Sequence, residues 1–339
     1  MKSLAVEYRP STWSDVTEQA STIEILQNQI NTGDLRNAYL FCGASGCGKT
    51  TCARIFANDI NNGQGVPIEM DAASNSSVDD VREIIKMAQT RSIDSEYKIF
   101  IIDECHSISN TGWQAFLKAI EEPPAKSIFI FCTTDPQKIP KTILNRVQRY
   151  DFKRISLKGI INRLSDILAK ENVNQPEDGI EVLEFIARQA KGGMRDAISM
   201  LDKCLAYSEE LTMENVVEAL ELPDTDTFID LTYMIHDRRD KDIVEIIESE
   251  YERGIDLKQF IKQYMIFLLD VLKYSLCGSF KYTSLPNTDE VCTCISDMTK
   301  GSKDFDNTLG LLKQVINIDS EIKWSQSPKE LIEARLLTI

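Results

Sequence analysis

A glycine-rich loop that ends in lysine and threonine is the stretch of this sequence best suited to bind phosphate. It reads Gly43, Ala44, Ser45, Gly46, Cys47, Gly48, Lys49, Thr50. Glycines let backbone N–H groups curl around phosphate oxygens, and the positive end of a following helix adds favourable potential. Lys49 would reach the terminal phosphates, and the Thr50 hydroxyl would ligate Mg²⁺. A plain Gly/Ser connection is the alternative interpretation, and it leaves the Lys-Thr pair unexplained.

Two carboxylates, Asp103 and Glu104, follow the apolar run 99–102. At the carboxyl end of a buried strand, Asp103 would share a crevice with Thr50 and hold Mg²⁺, often through water. Glu104 would then orient and polarise an attacking water. A helix N-cap role for Asp103 is the alternative, and it gives Glu104 no function. Together, the loop and the carboxylates predict a nucleoside-triphosphate site.

The elements that position these residues are predicted from hydrophobic periodicity. The apolar run 38–42 predicts a strand before the loop, and 51–57 predicts a helix after it. Further strands are predicted over 66–70, 98–104, 127–132 and 147–152, with helical patterns between most of them. Strands that alternate with helices indicate an α/β fold, a doubly wound parallel sheet with helices on both faces.

The strand signals stop after residue 157, and the remaining sequence is predicted to be all-α. Helical segments are expected over 157–172, 178–191, 194–207 and 212–220, and Pro223 marks a boundary. We therefore predict three domains, 1–157, 158–222 and 223–339. The best apolar stripe of the last domain is Phe260, Tyr264, Phe267, Leu268 and Val271, which indicates a bundle core or a subunit interface.

Composition limits the classes of protein that this chain can represent. Of its 339 residues, 42% are apolar and 27% charged, which is typical of globular proteins. No apolar run is long enough to cross a bilayer and no signal peptide is recognisable, so we expect a cytoplasmic protein without membrane contact. Residues 1–158 hold 18 basic and 19 acidic residues, whereas the remainder holds 20 and 34. This acidity argues against DNA binding over the whole surface, but it permits a basic inner face.

The nine cysteines form no C-x-x-C pair, and only two histidines occur, so neither a zinc site nor a disulfide framework is predicted. Cys47 is the one cysteine that we expect to be chemically reactive. It lies beside Lys49 at a helix N-terminus, an environment that lowers the pKa of a thiol. We expect a thiol reagent to block ATP hydrolysis through Cys47, and Cys47→Ala to escape that block.

Several further motifs occur in one order along the chain. They are Tyr8-Arg9-Pro10, the phosphate loop, Asp71-Ala72-Ala73-Ser74, Asp103-Glu104-Cys105-His106, Glu121-Glu122-Pro123-Pro124, Thr133 to Pro140, and Gly192 to Ala197. Together they resemble the AAA+ ATPase subunits of DNA clamp loaders, and in particular the bacterial gamma/tau family. The resemblance is dense over 7–205 and weaker over the helical end.

The resemblance implies the roles of an ATP site. Bound ATP would contact the phosphate loop and Thr51, the residue that follows the loop. Arg9, Pro10 and Val16 would lie near the adenine. Thr134 matches the first sensor near the γ-phosphate, with a strand-end cap as the alternative. Arg195 matches the second sensor, on a small helical lid domain that closes over the nucleotide. A surface ion pair with Asp196 or Asp202 is the alternative for Arg195.

The resemblance also implies an assembly of several chains. Arg146 lies where the family has Ser-Arg-Cys, and there the arginine reaches the nucleotide of the neighbouring subunit. Here the flanking residues are Asn145 and Val147. A pentameric ring or spiral of this chain and other loader subunits is therefore expected. The third domain would be its collar, and a sliding clamp and primer–template DNA its partners.

Contacts with DNA are implied for residues of two helices. Arg82 and Lys118 match positions that face DNA in the family, and solvated helix faces are the alternative for both. Ser76 and Ser77 could donate hydroxyls to the DNA backbone or expose backbone N–H groups to it. The loop 107–113 could touch the clamp, although Trp113 at helical spacing is more typical of a core residue.

The chain departs from the family in three respects. Asn75-Ser76-Ser77 follows Asp71-Ala72-Ala73-Ser74 where family members often have basic residues, and no long C-terminal extension for tethering a polymerase is expected. The family usually carries a four-cysteine zinc module between the phosphate loop and the second strand, but residues 59–65 contain no cysteine, so no zinc is expected. This absence and the compact length are interpreted as indications of a bacteriophage-encoded member. Another AAA+ motor, such as a branch-migration ATPase, is the first alternative function. A non-catalytic scaffold subunit is the second, although the intact phosphate loop and Asp103-Glu104 argue against it. A small-molecule kinase lacks support, because nothing explains the helical end as a substrate lid.

Overall fold

The computed structural model describes residues 3–173, 179–208, 210–220, 225–285 and 289–338. The chain divides into two compact units, Met1–Glu209 and Glu210–Ile339. The predicted boundary at Pro223 lies outside the described residues. The division into three domains at 157 and 222 stays a prediction.

The first unit is built on a five-stranded parallel sheet. Its strands are β1 (Ala38–Cys42), β2 (Ile68–Asp71), β3 (Lys98–Asp103), β4 (Ser127–Thr133) and β5 (Gln148–Asp151), and their order is β2-β3-β4-β1-β5. All neighbouring pairs are parallel. The predicted doubly wound α/β fold is therefore confirmed. β2 begins two residues later than predicted, directly after Pro67, which has no N–H group to offer a ladder.

Helices cover both faces of this sheet. The short helix α1 (Leu4–Glu7) comes before them in the chain. The covering helices are α2 (Ala20–Thr32), α3 (Lys49–Ile60), α4 (Val78–Ala88), α5 (Asn110–Glu121) and α6 (Lys141–Leu144). Because strand side chains alternate, Leu40 and Phe131 contribute to the core beneath α4, α5 and α6. Phe41 and Ile130 contribute to the opposite core, beneath α2 and α3. Burial on both faces explains why the central strands read as continuous apolar runs.

Three helices complete the first unit. They are α7 (Leu157–Lys170), α8 (Gly179–Gln189) and α9 (Met194–Tyr207). They pack pairwise against one another, and Leu164, Ile186 and Leu201 are fully buried. The predicted helices over 157–207 are thus confirmed.

The second unit is helical throughout its described part. It contains α10 (Met213–Ala219), α11 (Thr225–His236), α12 (Asp240–Glu252), α13 (Leu257–Cys277), α14 (Asp289–Thr299), α15 (Ser302–Ile322) and α16 (Pro328–Leu336). The predicted apolar stripe lies on α13 and is buried, with Phe260 and Tyr264 completely inaccessible. Within the described ranges, no helix combines the length and apolar character needed to cross a membrane.

Candidate nucleotide-binding site

A pocket of about 290 Å³ lies at the carboxyl ends of the central strands. It gathers residues from the N-terminal segment, the phosphate loop and α3, the end of β3, the segment 155–163 and the start of α9. They are Ala5, Tyr8, Arg9, Pro10, Val16, Thr17, Ser45, Gly46, Cys47, Gly48, Lys49, Thr50, Thr51, Arg54, Asp103, Glu104, Ile155, Arg163, Met194, Arg195 and Ile198. Ligands of open α/β sheets bind in this position, where successive crossovers pass to opposite faces.

The phosphate loop owes its shape to glycines. Gly46 and Gly48 have φ angles of 70° and 100°, a region that other residues rarely adopt. Gly43 is needed for space, because a Cβ there would lie 2.6 Å from the carbonyl oxygen of Phe152. The buried Lys49 ammonium donates hydrogen bonds to the carbonyl oxygens of Gly43 (3.0 Å) and Ala44 (2.9 Å). It therefore folds back over the loop, where phosphate oxygens could replace these weaker acceptors.

The predicted metal ligands lie together. The Thr50 hydroxyl donates a 2.8 Å hydrogen bond to Oδ2 of Asp103. Within the described residues, no cluster of three or more His, Cys, Asp or Glu side chains could hold a metal ion. Two oxygen ligands beside a phosphate loop suit Mg²⁺, which keeps several waters and takes its other ligands from substrate phosphates. The residues present therefore fit a nucleotide-bound Mg²⁺.

Glu104 is held by Thr134, the residue that directly follows the neighbouring strand, β4. Its backbone is left-handed, with φ 45°, and its Oε2 accepts a 3.0 Å hydrogen bond from the Thr134 hydroxyl. Thr134 is not among the residues that line the pocket, so it lies behind Glu104. The strand-end cap is Thr133, whose hydroxyl accepts the N–H of Asp135 at 3.0 Å.

The lid arginine reaches the pocket through backbone contact. The N–H of Met194 donates to the carbonyl oxygen of Gly46 at 3.0 Å. A Cβ on Gly46 would lie 2.9 Å from the Cα of Gly193. This contact brings the first turn of α9 to the phosphate loop and places Arg195 on the pocket wall. None of the ion pairs found within the described ranges includes Arg195, so the surface ion-pair alternative is wrong for this structure.

The N-terminal segment also lines the pocket, through Arg9, Pro10 and Val16. Sequence reasoning missed the residues that fix this segment. Arg163 of α7 donates to the carbonyl oxygen of Tyr8 at 2.8 Å. The Gln19 amide bridges to Lys153, donating to its carbonyl oxygen (2.6 Å) and accepting its N–H (3.1 Å).

Arg54 is another pocket residue that sequence reasoning missed. It lies one turn after Thr50 on α3, and this spacing was the available signal. Its guanidinium forms a 2.6 Å ion pair with Glu69 of β2.

The prediction of a reactive Cys47 thiol is wrong. The side chain is 1% exposed and points beneath the loop, because a Cβ on Gly43 would lie 2.9 Å from its Sγ. Burial raises the pKa of the Cys47 thiol above its ordinary value, and this outweighs the lowering by Lys49. Cys47 thus contributes backbone to the pocket and its side chain to the core.

Arg146 is not brought to the pocket of its own chain. It follows α6, where its Nε lies 2.6 Å from Oε1 of Glu121 and its terminal nitrogen donates to the carbonyl oxygen of Thr142. Both side chains of the ion pair are about 40% exposed, at 39% and 41%.

Arg82 and Lys118 lie on α4 and α5, which cover one face of the sheet, and Ser76 and Ser77 directly precede α4. Ser76 and Lys118 are exposed. Ser77 is the N-cap of α4 and exchanges hydrogen bonds with Asp80. Arg82 pairs with Asp79 at 3.0 Å, and both side chains are at least 70% exposed. Trp113 is 2% exposed, which confirms its interpretation as a core residue.

Comparisons with known proteins agree with this geometry. A family model described as DNA polymerase III, delta subunit, matches residues 66–156. A second, the ATPase lid domain of DNA polymerase III clamp loader subunits, matches residues 159–210. The DNA polymerase III gamma subunit of Buchnera aphidicola subsp. Schizaphis graminum is 30% identical, over 78% of this chain and 78% of its own length. This chain belongs to the gamma/tau subunit family of DNA polymerase III.

Other gamma/tau relatives extend well beyond this chain. DNA polymerase III subunit tau of Bacillus subtilis is 32% identical over 98% of this chain and 62% of its own length. The tau subunit of Escherichia coli is 32% identical over 75% of this chain and 42% of its own length. Among solved structures, the Thermotoga maritima RuvB Holliday junction branch migration motor covers 74% of this chain with TM-score 0.53 and 17% identity. That likeness concerns the AAA+ fold alone.

Proposed function

We propose that this gamma/tau family member is the ATPase motor subunit of a sliding-clamp loader. It would use ATP binding and hydrolysis to open the clamp and load it on primer–template DNA. The observation that carries the proposal is the single pocket in which the phosphate loop, the carboxylates of β3 and the lid arginine meet.

The pocket offers complementary groups for each part of ATP. Lys49 and Arg195 supply positive charge for the phosphates, and Ser45 to Thr51 supply backbone N–H groups. Pro10, Val16 and Ile198 supply apolar surface for the adenine. Mg²⁺ held by Thr50 and Asp103 would neutralise charge on the phosphates.

Hydrolysis would use Glu104 as the group that orients and polarises water. The water oxygen forms a bond to the γ-phosphorus while the bond from that phosphorus to the β–γ bridging oxygen breaks, so that ADP leaves. Glu104 accepts the proton of the attacking water. Thr134 holds the carboxylate of Glu104 for this task.

Arg146 would complete the site of a neighbouring subunit. Its exposed ion pair with Glu121 is the weak kind, worth at most about 1 kcal/mol, so exchange for a phosphate is favourable. The assembly would be a pentameric ring or spiral with other loader subunits. A collar of residues 223–339 would join the subunits, and a lid of residues 158–222 would close over the nucleotide. In this assembly Arg146 would reach the ATP of the neighbouring subunit. We place this assembly in the cytoplasm of a bacterium, native or phage-infected.

Contacts to DNA would be made by Ser76, Ser77, Arg82 and Lys118 with the phosphate backbone. Such contacts carry no sequence information and are sensitive to salt. Replacing both Arg82 and Lys118 by alanine is expected to lower the slope of log K against log salt by roughly two. An unchanged slope would contradict the assignment of both residues to phosphate contacts.

The deciding experiment measures ATP hydrolysis by the chain assembled with its companion subunits. We expect stimulation by clamp plus primer–template well beyond that by DNA alone, and its loss in Lys49→Ala. Equal stimulation by DNA alone would favour a branch-migration motor. Clamp loading that survives Lys49→Ala would favour a scaffold subunit.

A further inference from the structure

The carboxylate of Glu104 has a second neighbour besides Thr134. Nδ1 of His106 lies 3.2 Å from the same oxygen, Oε2. His106 belongs to the short turn Cys105–Ser107 that follows Glu104, and its side chain is 19% exposed. The same Nδ1 also lies 3.2 Å from the hydroxyl of Thr133. One carboxylate oxygen is thus contacted by the hydroxyl of Thr134, directly after β4, and by an imidazole nitrogen.

These contacts favour a proton on Nδ1 of His106. A carboxylate oxygen only accepts hydrogen bonds, so a bare nitrogen lone pair facing it would be repelled. The Thr133 hydroxyl oxygen can accept as well as donate. A proton on Nδ1 suits both neighbours, because it attracts the charged carboxylate and the hydroxyl oxygen can accept it.

The sheet order shows where the two donors hold Glu104. β4 lies between β3, which Glu104 directly follows, and β1, which leads into the phosphate loop. A carboxylate held on Thr134 is therefore drawn toward the middle of the sheet edge, where the terminal phosphate would lie, and away from β2. Two donors on Oε2 leave Oε1 available to accept from a water.

We propose that His106 is a positioning residue for ATP hydrolysis, whose Nδ1–H group holds the Glu104 carboxylate jointly with Thr134. This inference rests on the proposed ATPase function. The left-handed backbone of Glu104 allows the required bend, since it turns the chain so that His106 comes back over the carboxylate. A side chain that only filled space at position 106 would not need a nitrogen atom facing Glu104.

A spectroscopic test reads the hydrogen bond without any hydrolysis. The chain has two histidines, His106 and His236, so ¹⁵N-histidine labelling gives two ring systems, which His236→Asn assigns. At pH ~8, where an ordinary histidine is neutral, we expect the His106 proton on Nδ1 in the wild type. In Glu104→Ala we expect it to move to Nε2. A wild-type ring protonated only at Nε2 would overturn the proposal.

A kinetic test uses two amides of different reach. Asparagine places an N–H close to the position of Nδ1, whereas glutamine places it near Nε2. In the assembled complex, His106→Ala and His106→Gln should lower kcat about tenfold, the scale of one hydrogen bond to a charged group. His106→Asn should keep kcat within about twofold of wild type by that same reasoning, and KM for ATP should not change in any variant.

Two results of the kinetic test would overturn the proposal. One is equal kcat for all variants, and the other is a parallel loss in which asparagine gives no rescue. Binding of a fluorescent ATP analogue by each variant shows that the site is folded. Absence of turnover in the wild-type assembly would instead refute the proposed function itself, and the ring spectrum would still report the His106–Glu104 hydrogen bond.

Discussion

Arg195 and Arg146 are two arginines of one unit with opposite surroundings. Arg195 sits on the pocket wall at the start of α9, next to the phosphate loop, and no ion pair of the described residues includes it. Arg146 lies away from the pocket, with its guanidinium on Glu121 and on a carbonyl oxygen. The first is placed to meet a ligand of its own chain. The second has its charge balanced until another acceptor replaces Glu121.

This difference implies a division of labour between binding and hydrolysis. A cation that is already at the pocket contributes to ATP binding in an isolated chain. A cation that binds the phosphate held by another chain contributes to hydrolysis only after the chains assemble. Isolated chains are therefore expected to bind ATP and to hydrolyse it poorly.

Arg146→Ala tests the strongest form of this comparison. ATP hydrolysis by the assembled, DNA-stimulated complex should fall by about 10³-fold, as when an arginine finger is removed, while ATP affinity stays nearly intact. Arg149→Ala is a matched control, because Arg149 is a neighbouring exposed arginine paired with Asp151. An equal loss of ATP binding in Arg146→Ala would count against the trans role.

Arg195→Ala should show its effect already in the isolated chain. Loss of one charge-assisted contact to phosphate should weaken ATP binding by roughly 10- to 100-fold. Fluorescence titration measures this, with Lys203→Ala as the control on an exposed site of the same helix. If the isolated variant bound ATP like the wild type, Arg195 would have no role in the chain's own pocket.

Gly46→Ala should separate the two arginines by geometry. The new Cβ would press against Gly193 and push α9 from the loop, so Arg195 would move and Arg146 would not. We expect about a tenfold loss of ATP affinity, because strain of this kind costs on the order of 1–3 kcal/mol. Gly33 has a similar φ of 71°, but the space around it is open. Gly33→Ala therefore measures the free-energy cost of the left-handed backbone alone. A similar loss of affinity in both variants would disprove the lid contact as the cause.

Glu121→Gln should have the smallest effect. It releases Arg146 from an exposed ion pair worth at most about 1 kcal/mol, so turnover of the assembled complex should rise by about twofold. Steady-state hydrolysis compares it with Glu122→Gln, which changes the adjacent exposed carboxylate. A large fall in turnover would mean that Glu121 serves the active site and does not merely restrain Arg146.

The sequence predicted best those features that depend on neighbours along the chain. The phosphate loop lies between its own strand and helix, so residues 38–60 carry the whole signal. Asp103 was predictable because it ends an apolar run, and the structure brings it to Thr50. The fold followed from the same alternation of strands and helices.

Features that depend on distant parts of the chain were not predictable in this way. The roles of Gln19 and Arg163 require knowing that the N-terminal segment runs beside residues 153–163. The contact of His106 with Glu104 depends on the left-handed turn between them. Cys47 was misjudged because positive φ angles in the loop aim its side chain inward, which the position beside Lys49 does not reveal.

The hydrogen bond between Met194 and Gly46 also bears on how the chain acquires its pocket during synthesis. Gln19 pairs with Lys153 across 134 positions, and Met194 is more distant still from the loop that it meets. Contacts of such long range form late, because the loop they close must first be ordered. A ribosome-bound chain that stops short of residue 194 can hold the finished phosphate-loop sequence, yet it still lacks one wall of the cavity. The ability to retain a nucleotide is therefore expected to appear only near the completion of the first unit.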